Sequence, residues 1–354
     1  MIFFKFRTSF ITTMRKNMLV FSFLALALSV LFVLNLLMGS VSIPFSDVWN
    51  ILTGGVVQHA QWKFIVLETR LPQACTAILC GSALAVCGLL LQTAFRNPLA
   101  GPGVFGITNG ACLGVAVVML LFGGSVSLQF LQGGEFAAVM VAAFIGAMLV
   151  TGLLFFFSTL LRSNVMLLIV GIMVGYLSSS VITLLNYLAT EQGVRSYMLW
   201  GMASFGGVSL RQLPLFVSLT VVGLCMAFAL IKPLNALLLG DRYAQNLGIN
   251  TRRLRHCLLL LTGLLCAVAT AFCGPVTFIG LAVPHMARLM TGTANNRVLL
   301  PLTLLTGAVV ALLCNWLCAL PTGGMLPLNA VTPLVGGPVI IYVILMGNKG
   351  RLLE

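Results

Sequence analysis

Apolar residues run through this chain in blocks, with short polar stretches between them, and the blocks lack the alternation of a soluble amphipathic helix. They fall at about 18–38, 71–94, 104–123, 136–160, 165–188, 213–231, 257–273, 278–292, 299–320 and 330–347. All but the short 278–292 run approach the ~20 residues an α-helix needs to cross a bilayer. The pattern predicts an all-α polytopic membrane protein with about ten transmembrane helices. Residues 1–17 form a leader, 18–348 a single membrane domain and 349–354 a tail. The first apolar block is too long for a signal peptide and lacks a small-residue cleavage site, so it is expected to stay as the first span.

Composition supports this reading. Of 354 residues, 60% are hydrophobic and 7% charged, with a mean hydropathy of +1.11; soluble domains carry about 25% charge. The net charge of +13 does not form a stripe suited to nucleic acid. Its basic residues sit at the ends of apolar blocks. With ten alternating spans, all of the 19 Lys and Arg fall on the leader's side except Lys63, Arg70, Arg195 and Arg211. Those four are offset by Asp47, Glu68, Glu135 and Glu191. A bias of this kind marks the cytoplasmic side, so both termini are expected in the cytoplasm and the protein in the cytoplasmic (inner) membrane. Adding or removing one span would scramble the separation.

The ten cysteines lie in or beside apolar blocks without C-x-x-C or His/Cys spacing, as expected for small hydrophobic side chains. Cys314 and Cys318 share a helix face but have no further ligands, and no metal or cofactor is expected. No phosphate-binding G-x-x-x-x-G-K-[ST] loop occurs, and His59, His256 and His285 have no carboxylate partner in a catalytic pattern. The chain is therefore not read as an enzyme. Every acidic residue falls in a loop or tail, which weighs against an ion-coupled secondary transporter, since such carriers commonly place a carboxylate within a span.

Three polar interruptions stand out. Residues 232–256 carry Lys232, Asp241, Arg242, Arg252, Arg253 and Arg255 and form the longest polar island on the cytoplasmic side. Gly/Pro-rich breaks at 97–106 and 274–280 precede the third and eighth spans, which enter the membrane from opposite sides. Such breaks mark either protein-lined cavities, as between inverted repeats, or ordinary tight turns. Residues 193–211, with Tyr197 and Trp200, suit an interfacial helix on the outer face that acts as a gate flap or a connector.

Several motifs carry a resemblance. They are Arg70-Leu-Pro, Gly81-Ser-Ala-Leu-Ala-Val-Cys-Gly88, Phe95-Arg-Asn-Pro-Leu-Ala-Gly-Pro-Gly103, Leu239-Gly-Asp-Arg-Tyr-Ala-Gln-Asn-Leu-Gly248, Gly274 through Arg288, Arg297-Val-Leu-Leu-Pro301 and Leu326-Pro-Leu-Asn-Ala-Val-Thr332. From about residue 40 onward, in order and at family spacing, the chain resembles the permeases of ABC importers for iron-siderophores, haem and cobalamin. The resemblance implies a type II importer permease working as a homodimer. Two cytoplasmic ATPase subunits would lie below it, a periplasmic or lipoprotein substrate-binding protein above it, and lipid around it. It implies a role in importing a ferric siderophore or haem, with cobalamin as the alternative.

It also implies roles for individual residues. Leu239, Gly240, Asp241, Arg242, Ala244, Leu247 and Gly248 would form the coupling helix that grips the ATPase, with Asp241 as its N-cap. Asn97 and Leu99, with Asn164 and Val165, would form the cytoplasmic gate. Ser178, Ser179, Ser180, Thr332 and Gly336 would line the pathway, although helix packing is an equal role for the serines. Arg70, with Lys63 and Arg195, would dock the binding protein. Two docking arginines of some family members are missing, since Gln73 stands in one position and the Cys314–Leu320 stretch offers none.

Overall fold

The computed structural model describes residues 2–39, 41–55, 59–121, 134–161, 163–320 and 325–351. Helix α1 (Ile2–Leu37) joins the leader to the first span. Two short helices follow, α2 (Phe45–Thr53) and α3 (Ala60–Phe64), then a π-helical turn at Ile65–Arg70 that leads directly into α4 (Leu71–Phe95). Next come α5 (Ile107–Ala116), extended by a π-helical turn to Leu121, α6 (Gly134–Leu160), α7 (Asn164–Leu188) and the short α8 (Glu191–Gly201). Helix α9 (Leu213–Ala229) bends by 51° into α10 (Ile231–Leu238), and α11 (Asp241–Asn246) follows. The last four helices are α12 (Thr251–Cys273), α13 (Ile279–Thr291), α14 (Asn296–Ala319) and α15 (Leu328–Arg351).

Six of these helices are long and apolar enough to cross a membrane, and the bent α9–α10 pair makes a seventh. The other three expected spans fall on α5 with its π-helical turn (Ile107–Leu121), on the 13-residue α13, and on α15, whose apolar stretch is Leu328–Val343. Helix α12 starts six residues before its apolar block because Asn250 caps it, accepting from Arg253 N at 3.0 Å. Apolar character marks entry into lipid, whereas the cap marks the start of the helix.

Helix α4 is the hub, buried along nearly its whole length and packed against α14, α12, α13 and α9. Its small residues allow backbones to approach closely, as membrane packing favours. A Cβ on Gly81 would overlap the carbonyl of Gly307 in α14, and one on Gly88 would overlap the carbonyl of Gly280 in α13. Ser82 Oγ donates to Leu304 O at 3.1 Å across the same seam. A second seam joins α5 to α6, where Gly110 and Gly146 meet backbone to backbone.

The contact of Gly88 with Gly280 explains why α13 is short. Gly88 lies about 25 Å along α4 from Leu71 at 1.5 Å per residue, so residues 274–280 descend deep into the bundle before α13 begins. The first break does the same from the opposite end, and Gly106 packs on Gly171 and Gly175 of α7. The two breaks meet: a partly open cavity of about 280 Å³ lies between Gly101–Val104 and Val276–Phe278, with Leu84 and Asn109 also in its lining. Of the two readings left open by the sequence, the protein-lined cavity is the one observed.

The freed backbone groups are satisfied locally, as hydrocarbon requires. Asn329 of α15 accepts from Thr277 N at 3.1 Å and donates to Pro275 O at 2.7 Å and Gly201 O at 2.9 Å. In the first break, Phe105 N donates to Gly101 O and Ile107 N to Pro102 O, both at 3.1 Å. His285 Nε2 lies 2.8 Å from Pro98 O.

A test of the hub is Gly307→Leu. The added side chain meets backbone, which cannot move aside, and overpacking at the upper end of its usual range costs about 3 kcal/mol. Size-exclusion chromatography should show loss of the monodisperse species. Gly152→Ala, where a Cβ meets nothing within 4 Å, should elute as wild type.

Candidate functional site

The polar island folds into a hairpin of two short helices whose turns depend on glycine. Gly240 has φ 122° and ψ 151°, and Gly248 has φ 79°, conformations that side-chain-bearing residues rarely adopt. Gly240 occupies the N-cap position, so Asp241 is the first helical residue and not the cap expected from the sequence. Its carboxylate is committed elsewhere. Arg255 Nη2 reaches both Asp241 oxygens at 2.7 and 2.8 Å, and Arg96 Nη2 lies 3.4 Å away.

Each arginine has a second anchor: Arg255 Nε donates to Ala94 O at 3.1 Å and Arg96 Nη2 to Leu237 O at 2.8 Å. One carboxylate thus ties the start of α11 to the ends of α4 and α10 and the first turns of α12. Arg96 itself closes α4 in the left-handed region, at φ 49°. Neither arginine was singled out as a site residue from sequence: Arg96 lies far from Asp241 along the chain, and Arg255, though in the same polar island, meets it only because α12 packs back on α11.

On its inner side the hairpin is fixed by buried Leu234, Leu237 and Ala244, and by Asn235 Nδ2 donating to Asn295 Oδ1 at 2.9 Å. Its other side presents Leu238, Leu239, Tyr243 and Leu247 exposed, with Arg242 and Gly248. An anchored base beneath an uncovered apolar ridge is suited to seating in a partner's cleft.

At the same end, the residues expected at the gate divide. Asn97 Oδ1 accepts from Leu99 N at 2.9 Å, shaping a turn that leaves the Leu99 side chain half exposed. Val165, in the first turn of α7, is exposed as well. Asn164 begins α7, and its side chain lies outside the described residues.

Among the expected pathway residues, Ser179 and Ser180 lie on an exposed stripe of α7 with Tyr176, Leu177, Val181 and Leu184. Ser178 is buried and donates to Val174 O at 2.9 Å, so it faces its own chain. Thr332 and Gly336 are buried too. A Cβ on Gly336 would lie 3.1 Å from that of Ala282 and 3.4 Å from that of Phe278. Gly336 thus packs α15 on α13, and neither residue faces open space; Leu334, Ile341, Tyr342 and Leu345 are exposed on that helix.

At the opposite end, Arg70 departs from its expected docking role. It is 6% exposed, and its guanidinium donates to Leu36 O at 2.7 Å, Leu37 O at 2.9 Å and Val41 O. It holds the chain leaving α1 and presents no charge to a partner, whereas Lys63 and Arg195 are exposed. The positions without arginine have found each other. Gln73 Nε2 donates to Asn315 Oδ1 at 2.9 Å, and Asn315 Nδ2 donates to Asn35 Oδ1 at 2.7 Å. A buried amide chain therefore stitches α4, α14 and α1 together. Nearby, Tyr197 and Trp200 of α8 stack at 6.3 Å between ring centres, and burial pushes the Tyr197 phenol above its usual pKa.

The FecCD transport family model matches residues 27–346 of this chain. The chain belongs to that family. The hemin transport system permease protein HmuU of Yersinia pestis is 35% identical over 335 residues, covering 94% of this chain and 97% of that protein. The vitamin B12 import system permease protein BtuC of Klebsiella pneumoniae is 36% identical over 293 residues, covering 82% and 85%. Among solved structures, a metal-chelate type ABC transporter in an inward-facing conformation superposes with TM-score 0.80 at 28% identity, covering 93% of this chain and 99% of that one. This FecCD chain has the fold of a type II ABC importer permease.

Two measurements check this geometry. Asp241→Ala removes the only carboxylate in the joint; the group is more than a third exposed, so screening limits the loss to about 1 kcal/mol. Hydrogen exchange over residues 234–247 should speed up roughly fivefold, with the rest of the chain unchanged. Arg70→Ala leaves three carbonyls without a donor and should lower thermal stability by about 2–3 kcal/mol, as read by a thermal melt of the purified permease.

Proposed function

We propose that this chain is the permease subunit of an ATP-driven importer that carries an iron chelate, a ferric siderophore or haem, across the cytoplasmic membrane. It works as a homodimer with both termini in the cytoplasm. Two separate ATPase subunits hydrolyse the nucleotide, and a substrate-binding protein delivers the cargo from outside. The observation that carries this reading is the hairpin locked at Asp241 with Leu239, Tyr243 and Leu247 uncovered. A rigid lever of this kind passes the ATPase's motion into α4 and α12 and would have no use in a scaffold. Family membership supports the same role.

In this mechanism the exposed stripe of α7 meets its copy across the dimer axis and lines the passage with Ser179 and Ser180. The neutral wall offers no tight site, so recognition is left to the binding protein. Leu99 and Val165 close the cytoplasmic end, with Asn97 shaping the Leu99 turn and Asn164 starting the Val165 helix. Rotation of the hairpin is transmitted through Arg96 and Arg255 to the ends of the helices that hold these gates. Lys63 and Arg195 provide docking charge for the binding protein; surface pairs of this type contribute about 0–1 kcal/mol each.

The test measures uptake of haem, a ferric siderophore and cobalamin in cells lacking this chain. Uptake of one iron chelate should fail and return with the intact gene. Failure of cobalamin uptake alone overturns the cargo assignment, and normal uptake of all three overturns transport. Gly240→Val strains the turn by about 1–3 kcal/mol, so complementation should fall roughly tenfold while the permease still assembles. Full uptake by this variant removes the lever.

A further inference from the structure

At the leader end, a cavity of about 210 Å³ opens between α4, the end of α6, the start of α7 and α12. One side is apolar, with Phe95, Leu161, Leu167 and Leu259; the other presents Ser158, Ser163, Arg252, Arg255 and His256. We propose that this cavity binds a phosphate-bearing anion, supplied either by the headgroup of an anionic lipid in the adjoining leaflet or by free phosphate.

Four observations carry the assignment. The first is charge: among the described residues Asp241 is the only carboxylate in an ion pair, and it is shared by Arg96 and Arg255. Arg252 donates to the Thr159 carbonyl at the end of α6 and keeps its remaining guanidinium donors for another acceptor. The second is an orphaned group. His256 Nε2 is buried and finds no hydrogen-bond partner among the described residues, while its ring packs on Phe155 at 4.9 Å. A buried polar nitrogen left unpaired costs about 1–3 kcal/mol, and a small rotation of the ring toward an anion oxygen in the cavity would relieve it.

The third is the start of the 25-residue helix α7, capped by Ser163, which places the positive end of its dipole at the cavity. Ser163 Oγ accepts from Met166 N, so its own hydroxyl hydrogen remains available. The fourth is the setting. Leu160 and Leu260, on the neighbouring helices α6 and α12, are exposed apolar neighbours, consistent with a headgroup entering from lipid with its glycerol against Phe95 and Leu259. Basic pockets between transmembrane helices at a membrane boundary are suited to such headgroups.

An anion held there bridges the segment bearing Val165 to the first turns of α12. It would bias the position of the gate segment without touching cargo. Binding can be measured without transport, so it stands or falls independently of the function proposed above.

The test uses the full chain in neutral detergent. Native mass spectrometry follows titration with dioleoyl phosphatidylglycerol and, separately, dioleoyl phosphatidylcholine; thermal unfolding is measured with sodium phosphate against sodium chloride at equal ionic strength. Arg252→Gln and His256→Leu are compared with wild type and with Arg253→Gln, which removes a charge on the same helix outside the cavity. One arginine near the membrane surface contributes about 1 kcal/mol toward an anionic headgroup, or roughly fivefold. Phosphatidylglycerol should therefore bind several times more tightly than phosphatidylcholine, and each cavity variant should lose about that factor while Arg253→Gln binds as wild type. If free phosphate is the source, only the phosphate-dependent rise in melting temperature will be lost in the cavity variants. The proposal is overturned if both cavity variants match wild type toward both probes, or if Arg253→Gln loses as much as they do.

Discussion

In hydrocarbon, a backbone N–H or C=O with no partner has no water to fall back on, and this constraint shapes the centre of the permease. The chain breaks its helices at 97–106 and 274–280 and can do so only because other segments close over the breaks. Asn329 substitutes for a missing turn of helix around Pro275 and Thr277, and His285 receives the carbonyl of Pro98. The glycine face of α4 then lets the second break come within backbone contact. The consequence is a bundle in which α5 and α13 start deep inside and run toward opposite ends.

A second economy governs charge. So few carboxylates are present that each described ion pair uses the same one, Asp241. Placing it at the start of α11 joins four helix ends with one residue, and its neighbours Leu239, Tyr243 and Leu247 are left free to face a partner. The same arrangement leaves arginine charge uncompensated along the first turns of α12, beside the cavity where His256 is unpaired. At the far end the solution is neutral: Gln73, Asn315 and Asn35 form a chain of amides where charge would need a counter-ion.

The exposed face of α7 is the counterpart to this tightly packed hub. Met173, Tyr176, Leu177, Leu184 and Tyr187 have no cover among the described residues, whereas α4 is buried along nearly its whole length. The small residues of α7, Gly171 and Gly175, turn inward to accept the first break. Close packing inside and uncovered side chains outside are therefore two faces of one helix.

Apolar block lengths and the distribution of arginine were enough to establish the membrane class, the rough positions of the spans and the polar island at 232–256, because each depends on local chemistry or on transfer from water to lipid. Sequence motifs also placed the chain in its family. What folding alone decided is which way a side chain points and what it meets. Ser178, Thr332 and Gly336 turned inward because helix rotation is set by glycine contacts on neighbouring helices. Arg70 turned away from solvent because three carbonyls leaving α1 needed a donor. Arg96 met Asp241 only when helices distant along the chain ended at the same depth, and Arg255 only when the first turns of α12 packed back on α11. The apolar pattern is nearly uniform around these helices, so it carries no record of their facing, and only packing supplies it.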